Sequence, residues 1–496
     1  MQISVTSRPP AARADDLIVL LDPSAARELF DPARTAALPG WDDLARHRKT
    51  NEVKCPYQAS GGAPLLYLPG AIAPYWDDDE KIRILGGKTW DLALDRHARR
   101  IVLMLDGRHG PDAAPLAAEG LALRAYRFTK YKKGAEPKRE PSVTLVVSDT
   151  NRAAVDRAVK RRLTVIESVN AARDLVNEPG SALTPADLEQ AARAVARRRG
   201  LKITVLNEPE LRKQGYNGLL TVGRGGTVPP RMIILRYQPT GRGARKDVHL
   251  GLLGKGVTFD TGGISIKPSA RMWEMKGDMG GAAAALFAMD AIAQLKPAVA
   301  VTAILVTAQN YVDRNSVLPG DIFVAKNGKT VHVDNTDAEG RLILSDGLCR
   351  MGEERVTHLV DAATLTGAVV RALGPALTGV LGNDQFADEV IEIAATQGEP
   401  CWRLPLVEEY RQWLDIEVAD LNNISNPACS LYAGATTAAL FLREFVPQGV
   451  HWAHLDIAGT SLVTGQYKYF RPGATGVMVR TMAALAERLA ARPADG

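Results

Sequence analysis

The sequence is poor in cysteine and lacks any segment suited to crossing a membrane. It has four cysteines among 496 residues, they are scattered, and none forms a C-x-x-C pair. Scattered thiols are typical of a reducing compartment rather than of a disulfide-stabilised secreted protein. No apolar run reaches the ~18 residues that a membrane helix needs, and the N-terminus shows no hydrophobic stretch followed by a cleavage site. We therefore expect a cytoplasmic protein with no membrane partner.

Two common site motifs are also missing. None of the eight histidines stands in a ligand spacing such as H-E-x-x-H, which argues against a single-zinc peptidase. The glycine-rich stretch 254–263 lacks the first glycine of a phosphate-binding P-loop, and Phe259 breaks the dinucleotide-binding pattern. The simpler alternative for this stretch is a tight turn.

The composition is typical of a large globular protein. Hydrophobic residues make up 46% of the chain and charged residues 24%, and the net charge of +5 implies no particular partner. The length allows two or three domains with a large core. A basic segment with interleaved aromatic residues, Arg124 to Lys138, is either a nucleic-acid surface or the solvated edge of a small domain.

The order of strand-like and helix-like segments predicts an α/β fold. We predict a smaller N-terminal α/β domain (1–150), a long amphipathic linker helix (151–177) and a larger C-terminal α/β domain (178–496) with a mainly parallel central sheet. Three apolar runs are the strand candidates of the first domain: Leu17–Leu21, Ile101–Leu105 and Ser142–Val147.

Four carboxylates of the C-terminal domain follow predicted strands or begin a helix. Asp260 follows one strand, and Asp278 begins an alanine-rich helix. Asp337 and Glu339 follow another strand, at alternate positions that point the same way in an extended segment. Because ligands of open α/β sheets bind beyond the carboxyl ends of strands, we expect these four side chains to meet there.

Each of these acids also has a structural alternative. Thr336-x-x-Glu339 before an apolar run matches a capping box, and Asp278 could complement a helix dipole. Four acids gathered at one place would instead repel one another unless cations balance them, and two divalent ions supply four positive charges. Oxygen-rich ligation suits Mg, Mn or Zn. Together these features favour a two-metal hydrolytic site.

The motifs that carry these residues resemble those of the leucine (cytosol) aminopeptidases, over roughly residues 170 to 485. The main matches are G-K-G-V-T-F-D at 254–260, M-K-G-D-M-G-G-A at 275–282 and N-T-D-A-E-G-R-L at 335–342. Supporting matches are V-D-A-A-T-L-T-G at 360–367, W-A-H-L-D-I-A-G at 452–459 and G-A-T-G at 473–476. The N-terminal region matches more weakly.

The resemblance implies a metal-dependent aminopeptidase that releases N-terminal, preferably leucine-like, residues from peptides. It implies two divalent ions per chain, Mn or Zn, with Asp260 and Glu339 shared between them, and a bicarbonate at Arg341 as general base. It also implies a homohexamer. The implied metal ligands are Lys255, Asp260, Asp278, Asp337 and Glu339. The implied catalytic residues are Lys267, which polarises the reacting carbonyl, and Arg341. The implied substrate-binding residues are Met275, Asn335, Ala338, Thr364, Gly367 and Ala458.

Two other functions stay open from the sequence. A dinuclear phosphoesterase would also bind two metals, although it would usually show histidine ligands, which are missing here. An additional DNA-binding role could use the basic surface of the N-terminal domain. Thr460-Ser461 departs from the bulkier apolar residue that relatives often place after Gly459, which leaves the side-chain preference open.

Overall fold

The structure is a computed structural model, and it divides into two compact units. They are Met1–Ile166 with Gly465–Pro472, and Glu167–Thr464 with Gly473–Gly496. No helix in the described ranges is long and apolar enough to cross a membrane. Leu21, Cys55 and positions 135–138 of the basic segment lie outside the described residues. Those described are 1–8, 10, 11, 13, 15–20, 57, 58, 64–67, 77–105, 111–134, 140–240 and 243–492.

The described part of the first unit contains a largely parallel sheet and two packed helices. The sheet order is β1-β6-β5-β2-β4-β3, in which β3 and β4 form the antiparallel pair. Its strands are β1 (Ile3–Thr6), β2 (Asp16–Leu20), β3 (Tyr57–Gln58), β4 (Pro64–Tyr67), β5 (Arg100–Met104) and β6 (Ser142–Val146). Its helices are α1 (Asp78–Asp95) and α2 (Ala113–Ala125). The backbones of α1 and α2 meet at Gly120, where a Cβ atom would lie 1.8 Å from the carbonyl oxygen of Arg83.

A buried ion pair ties a late segment of the chain into the first unit. Lys468 Nζ lies 2.9 Å from Glu80 Oε1, and both side chains are less than one-twentieth exposed. Glu80 also pairs with Arg83 at 3.1 Å. A helix α3 (Arg152–Asn177) occupies the segment where the amphipathic pattern predicts one, and it continues from the first unit into the second. The predicted three-part division of the chain and the DNA-binding surface stay predictions.

The second unit is built on an eight-stranded sheet with the order β15-β14-β17-β13-β9-β10-β8-β7. The four central strands β17, β13, β9 and β10 are parallel to their neighbours in this group. The strands of this sheet are β7 (Lys202–Leu206), β8 (Arg231–Tyr237), β9 (Arg245–Asp260), β10 (Val299–Asn310), β13 (His358–Ala363), β14 (Thr378–Gly382), β15 (Cys401–Arg403) and β17 (His451–Asp456). The predicted fold class, α/β with a mainly parallel central sheet, is confirmed.

Two small sheets and nine helices complete the described part of this unit. The small sheets join β11 (Ile322–Val324), β12 (Thr330–His332) and β16 (Leu421–Asn422), and β18 (Leu462–Val463) with β19 (Gly473–Ala474). The helices are α4 (Pro185–Arg199), α5 (Glu208–Gln214), α6 (Asn217–Gly223), α7 (Gly280–Leu295), α8 (Glu339–Glu353), α9 (Gly367–Leu373), α10 (Asp384–Thr396), α11 (Gly434–Arg443) and α12 (Val479–Ala491).

Glycines at the contact allow α7 to pack closely against the central strands of the sheet. A Cβ on Gly281 would lie 1.9 Å from the carbonyl oxygen of Ala362 in β13, and a Cβ on Gly254 would lie 2.4 Å from the carbonyl oxygen of Gly281. Val257 in β9 and Ala282 in α7 are fully buried nearby. This contact fixes the start of α7 beside β9, which sets the distance between the two segments that carry Asp278 and Lys255.

We expect Gly281→Ala to destabilise the second unit by about 2 kcal/mol or more, because the added methyl group meets a backbone oxygen that cannot rotate away. Urea unfolding monitored by fluorescence measures the change. Gly243→Ala is the control, since a Cβ there meets no atom within 4 Å. A Gly281→Ala protein as stable as the Gly243→Ala protein would contradict the close packing of α7 on the sheet.

Candidate active site

The carboxyl ends of neighbouring parallel strands bring the candidate residues to one edge of the eight-stranded sheet. β9 ends at Asp260, β13 at Ala363 and β17 at Asp456. β10 ends at Asn310, which lies opposite Asp260 in the register of the two strands. Because ligands of open α/β sheets bind beyond this edge, the loops that follow these strands form the candidate site.

Lys255 lies inside β9 with its amine between carboxylates of two other segments. Its Nζ is 2.8 Å from Asp278 Oδ1 and 2.7 Å from Glu339 Oε1, and it donates a hydrogen bond to the carbonyl oxygen of Thr364 at 2.9 Å. Burial lowers the pKa of this amine, but the carboxylates outweigh burial and raise the pKa above its usual value. Gly340 permits the approach, since a Cβ there would lie 2.7 Å from Lys255 Cε.

Lys267 approaches the other two carboxylates from the loop that follows β9. Its Nζ lies 2.7 Å from Asp260 Oδ2 and forms an ion pair with Asp337 Oδ1. Burial lowers the pKa of Lys267, and Asp260, with the other carboxylates, raises it above its usual value. Lys267 keeps about a fifth of its side chain exposed, so this amine can be reached by a substrate.

Three of the carboxylates form a compact group of potential ligands. Oxygen atoms of Asp260, Asp337 and Glu339 all lie within 4.8 Å of one another. Asp278 Oδ2 and Glu339 Oε2 are buried and have no hydrogen-bond partner in the part of the chain that the structure describes. A buried carboxylate oxygen without a partner is costly unless a cation meets it, so this group fits metal ligation.

The pKa values show how strongly these acids act on one another. Burial and the nearby charge of Glu339 raise the pKa of Asp260 to about 7. Burial also raises the pKa of Asp278 and Asp337. Glu339 is the exception. Burial raises its pKa, but the positive charges of the two lysines of the site outweigh burial and lower the pKa. Four acids thus share the site with only two ammonium groups, which cannot balance the charge when all four acids are ionised.

Arg341 lies in the first turn of α8 and is only 7% exposed. One terminal nitrogen donates to the carbonyl oxygen of Asn423 at 2.8 Å, while Nε has no hydrogen-bond partner among the residues described. Burial lowers the pKa of the guanidinium to about 10, against the opposite effect of Glu339 and Asp456. A buried cation with a spare donor is suited to holding a small anion.

Three of the residues predicted to bind substrate are joined to this group by hydrogen bonds. Thr364 Oγ1 donates to Asp278 Oδ1 at 2.7 Å, and the N–H of Asp278 donates to the carbonyl oxygen of Met275 at 3.2 Å. Asn335 Oδ1 accepts from the N–H of Asp337 at 2.8 Å.

The three remaining predicted residues adjoin the same loops. The N–H of Ala338 donates to the carbonyl oxygen of Asn335 at 3.1 Å. Gly367 is the first residue of α9. Ala458 follows β17, and its N–H donates to Asp456 Oδ1 at 3.3 Å. All six predicted positions therefore lie on segments that also hold the carboxylate group or adjoin it.

The capping-box alternative for the stretch at 336–339 is wrong. Thr336 Oγ1 donates to the carbonyl oxygen of Gly262 at 2.6 Å and accepts from the N–H of Ser265 at 2.8 Å. α8 begins after Ala338 without a side-chain cap. Thr336 instead joins the loop after β9 to the loop before α8, and Glu339 is free to face Lys255.

Comparison with known proteins decides the family. The profile of the cytosol aminopeptidase family, catalytic domain, matches residues 170–483. The chain belongs to this family. Among its relatives, a probable cytosol aminopeptidase of Solibacter usitatus (strain Ellin6076) is 42% identical over 98% of this chain and 99% of its own length. One of Rhodococcus jostii (strain RHA1) is 44% identical over 76% of this chain and 74% of its own.

A solved structure is also similar to this chain over most of its length. The bottromycin maturation enzyme BotP in complex with Mn has a TM-score of 0.81 and 32% sequence identity, covering 96% of this chain and 100% of that one. The family resemblance predicted from the motifs is thus confirmed. The protein is a hydrolase, a metal-dependent aminopeptidase that acts on peptides.

Two asparagines of this cytosol aminopeptidase that the sequence did not indicate also belong to the site. Asn310 Nδ2 donates to Asp260 Oδ1 at 2.8 Å. Asn423 is fully buried; its Oδ1 accepts from the N–H of Asp334 at 2.9 Å, and its Nδ2 donates to the carbonyl oxygen of Asn335 at 2.7 Å. Since its own carbonyl oxygen binds Arg341, Asn423 joins the loop before α8 to the arginine.

We expect Asn423→Ala to lower kcat/KM of the aminopeptidase roughly tenfold or more, because a small displacement of catalytic groups is enough for such a loss. The substitution leaves buried backbone groups of the loop without partners. Initial rates on leucine p-nitroanilide measure the effect. Asn383→Ala is the control, since that side chain also donates to a backbone oxygen, of Val450, at 3.2 Å but starts α10. Equal losses in the two variants would refute the role of Asn423.

Proposed function

We propose that this aminopeptidase releases leucine-like residues from the N-termini of peptides in the cytoplasm, using two divalent metal ions. The observation that carries the proposal is the group of carboxylates in which two buried oxygens, Asp278 Oδ2 and Glu339 Oε2, lack hydrogen-bond partners among the residues described. The relative BotP is solved in complex with Mn, and carboxylate oxygens suit Mn or Zn. The proposed ligands are Lys255, Asp260, Asp278, Asp337 and Glu339.

The residues fit two ions by charge and by geometry. Lys255 pairs with Asp278 and Glu339, and Lys267 pairs with Asp260 and Asp337, so all four acids lie around the two amines. Lys255 would have to lose its proton to act as a ligand, and the metal charge would oppose the carboxylates that now raise its pKa. When bound, two divalent ions would supply an activated water and polarise the scissile carbonyl.

The side chains around this centre would complete the catalysis. Lys267 would donate to the oxygen of the reacting carbonyl as negative charge develops there. Arg341 would hold a bicarbonate through its buried guanidinium and unpartnered Nε, and this group would supply a general base. The proposed exopeptidase would cleave the first peptide bond, next to the free amine of the substrate.

The proposed pocket for the released side chain is made of small and apolar groups. Met275, Ala338, Gly367 and Ala458 would face the side chain, with Asn335 and Thr364 at its polar margin. Such a lining favours leucine over charged residues. A homohexamer is proposed with this function, on the family resemblance alone.

We expect Asp337→Ala to abolish aminopeptidase activity and to leave fewer than two metal ions per chain, because a shared cluster of ligands loses one carboxylate. Elemental analysis after gel filtration measures metal content, and leucine p-nitroanilide measures activity. Asp334→Ala is the matched control, an acid of the same loop whose carboxylate accepts one long hydrogen bond from Asn422 at 3.3 Å. Two bound ions with activity retained in Asp337→Ala would remove Asp337 from the ligands.

We expect Lys267→Ala to lower kcat roughly 10²-fold or more, as the loss of a donor to a developing oxyanion does, while both metal ions stay bound. Lys276→Ala is the control, because Lys276 is on the same loop but donates to the carbonyl oxygen of Asn177 at 2.9 Å. A change confined to KM would mean that Lys267 only holds substrate.

A further inference from the structure

Asp456 is a buried carboxylate that the proposed mechanism does not use. It is the last residue of β17 and is 1% exposed, and none of the ion pairs within 4 Å in the described residues involves it. Its oxygens instead accept hydrogen bonds from the two loops that follow β13 and β17. Thr366 Oγ1 donates to Oδ2 at 2.6 Å, and three N–H groups donate to Oδ1: those of Leu365 at 3.1 Å, Thr366 at 3.4 Å and Ala458 at 3.3 Å.

The loop after β13 in turn holds the proposed metal ligands. The carbonyl oxygen of Thr364 accepts from Lys255 Nζ at 2.9 Å, and its hydroxyl donates to Asp278 Oδ1 at 2.7 Å. The next two residues of this loop are the ones bound by Asp456. Asp456 therefore holds the two residues that directly follow Thr364, and Thr364 in turn binds Asp278 and Lys255.

The same carboxylate also fixes the start of α9. Thr366 is the N-cap of this helix, and its hydroxyl oxygen accepts from the N–H of Val369 at 3.1 Å. Because the hydroxyl proton points to Asp456, the oxygen keeps a lone pair free for Val369. Gly367 follows directly, so its position depends on this orientation of Thr366.

We propose that Asp456 is a positioning residue that sets the shape of the side-chain pocket by holding Thr364, Gly367 and Ala458 in fixed relation. The inference rests on the proposed function only in that these three residues contact the released side chain. A carboxylate suits the task because one oxygen collects backbone N–H groups from two loops while the other orients a hydroxyl.

Asp456→Asn tests the proposal, because it keeps the shape but replaces one acceptor by a donor. The amide would have to donate to Thr366 Oγ1, which reverses the direction of that hydrogen bond. We expect both metal ions to stay bound and kcat/KM on leucine p-nitroanilide to fall roughly tenfold or more. We also expect the ratio of kcat/KM for leucine and alanine p-nitroanilides to change, since the pocket and not the metal centre is displaced.

Thr366 provides a second test if Asp456→Asn does not fold. Thr366→Val removes the hydroxyl and should shift the leucine-to-alanine ratio in the same direction, whereas Thr366→Ser keeps the hydroxyl and should restore the wild-type ratio. Asp346→Asn is the matched control, because Asp346 is also fully buried and accepts the N–H of Leu219 at 2.8 Å, but lies further along α8. It should change stability and leave the ratio unchanged.

The outcomes separate this inference from the proposed function. The positioning role would be overturned if Asp456→Asn and Thr366→Val leave the leucine-to-alanine ratio of kcat/KM unchanged. It would also be overturned if kcat/KM falls on both substrates only in proportion to a loss of thermal stability, as in Asp346→Asn. A wild-type protein that binds fewer than two metal ions or does not prefer leucine would instead overturn the proposed function. In that case the ratio of kcat/KM for the best substrate to kcat/KM for the alanine substrate still measures the effect of Asp456.

Discussion

Repulsion among four carboxylates at one edge of a parallel sheet is the constraint on which this site depends. Asp260, Asp278, Asp337 and Glu339 come from three separate segments, and burial deprives all but Asp337 of the water that would screen their charges. Lys255 and Lys267 offset only half of that charge. The negative charge that remains when all four acids are ionised favours binding of a divalent ion. It also favours the neutral hydrogen-bond donors that surround the acids.

Close backbone packing makes this concentration of charge possible. The amine of Lys255 reaches two acids because Gly340 has no side chain to obstruct it, and α7 starts beside β9 because Gly254 and Gly281 allow their backbones to touch. The rigid contacts hold the acids together before any ion arrives. Much of the binding energy of a metal can then go into ligation rather than into ordering the loops.

The fold and the central site were predictable because their signals are local. The alternation of strands and helices gave the α/β class, and Asp337, Glu339 and Arg341 lie within one octapeptide. Asn423 could not be found in this way, since it meets Arg341 across 82 residues through the short pairing of β12 with β16. The capping box that the local sequence allows at Thr336 does not form for the opposite reason: the Thr336 hydroxyl makes a tertiary hydrogen bond to the carbonyl oxygen of Gly262 instead.

The segment Gly465–Pro472 has a consequence for how the protein is made. It belongs to the first compact unit, where Lys468 neutralises the buried Glu80, yet it is translated about 300 residues after Ile166. At the usual pace of synthesis, about 5–20 residues per second, the ribosome needs on the order of tens of seconds to cover that distance. The ion pair between Lys468 and Glu80 can therefore form only after that interval, when the later segment has been made.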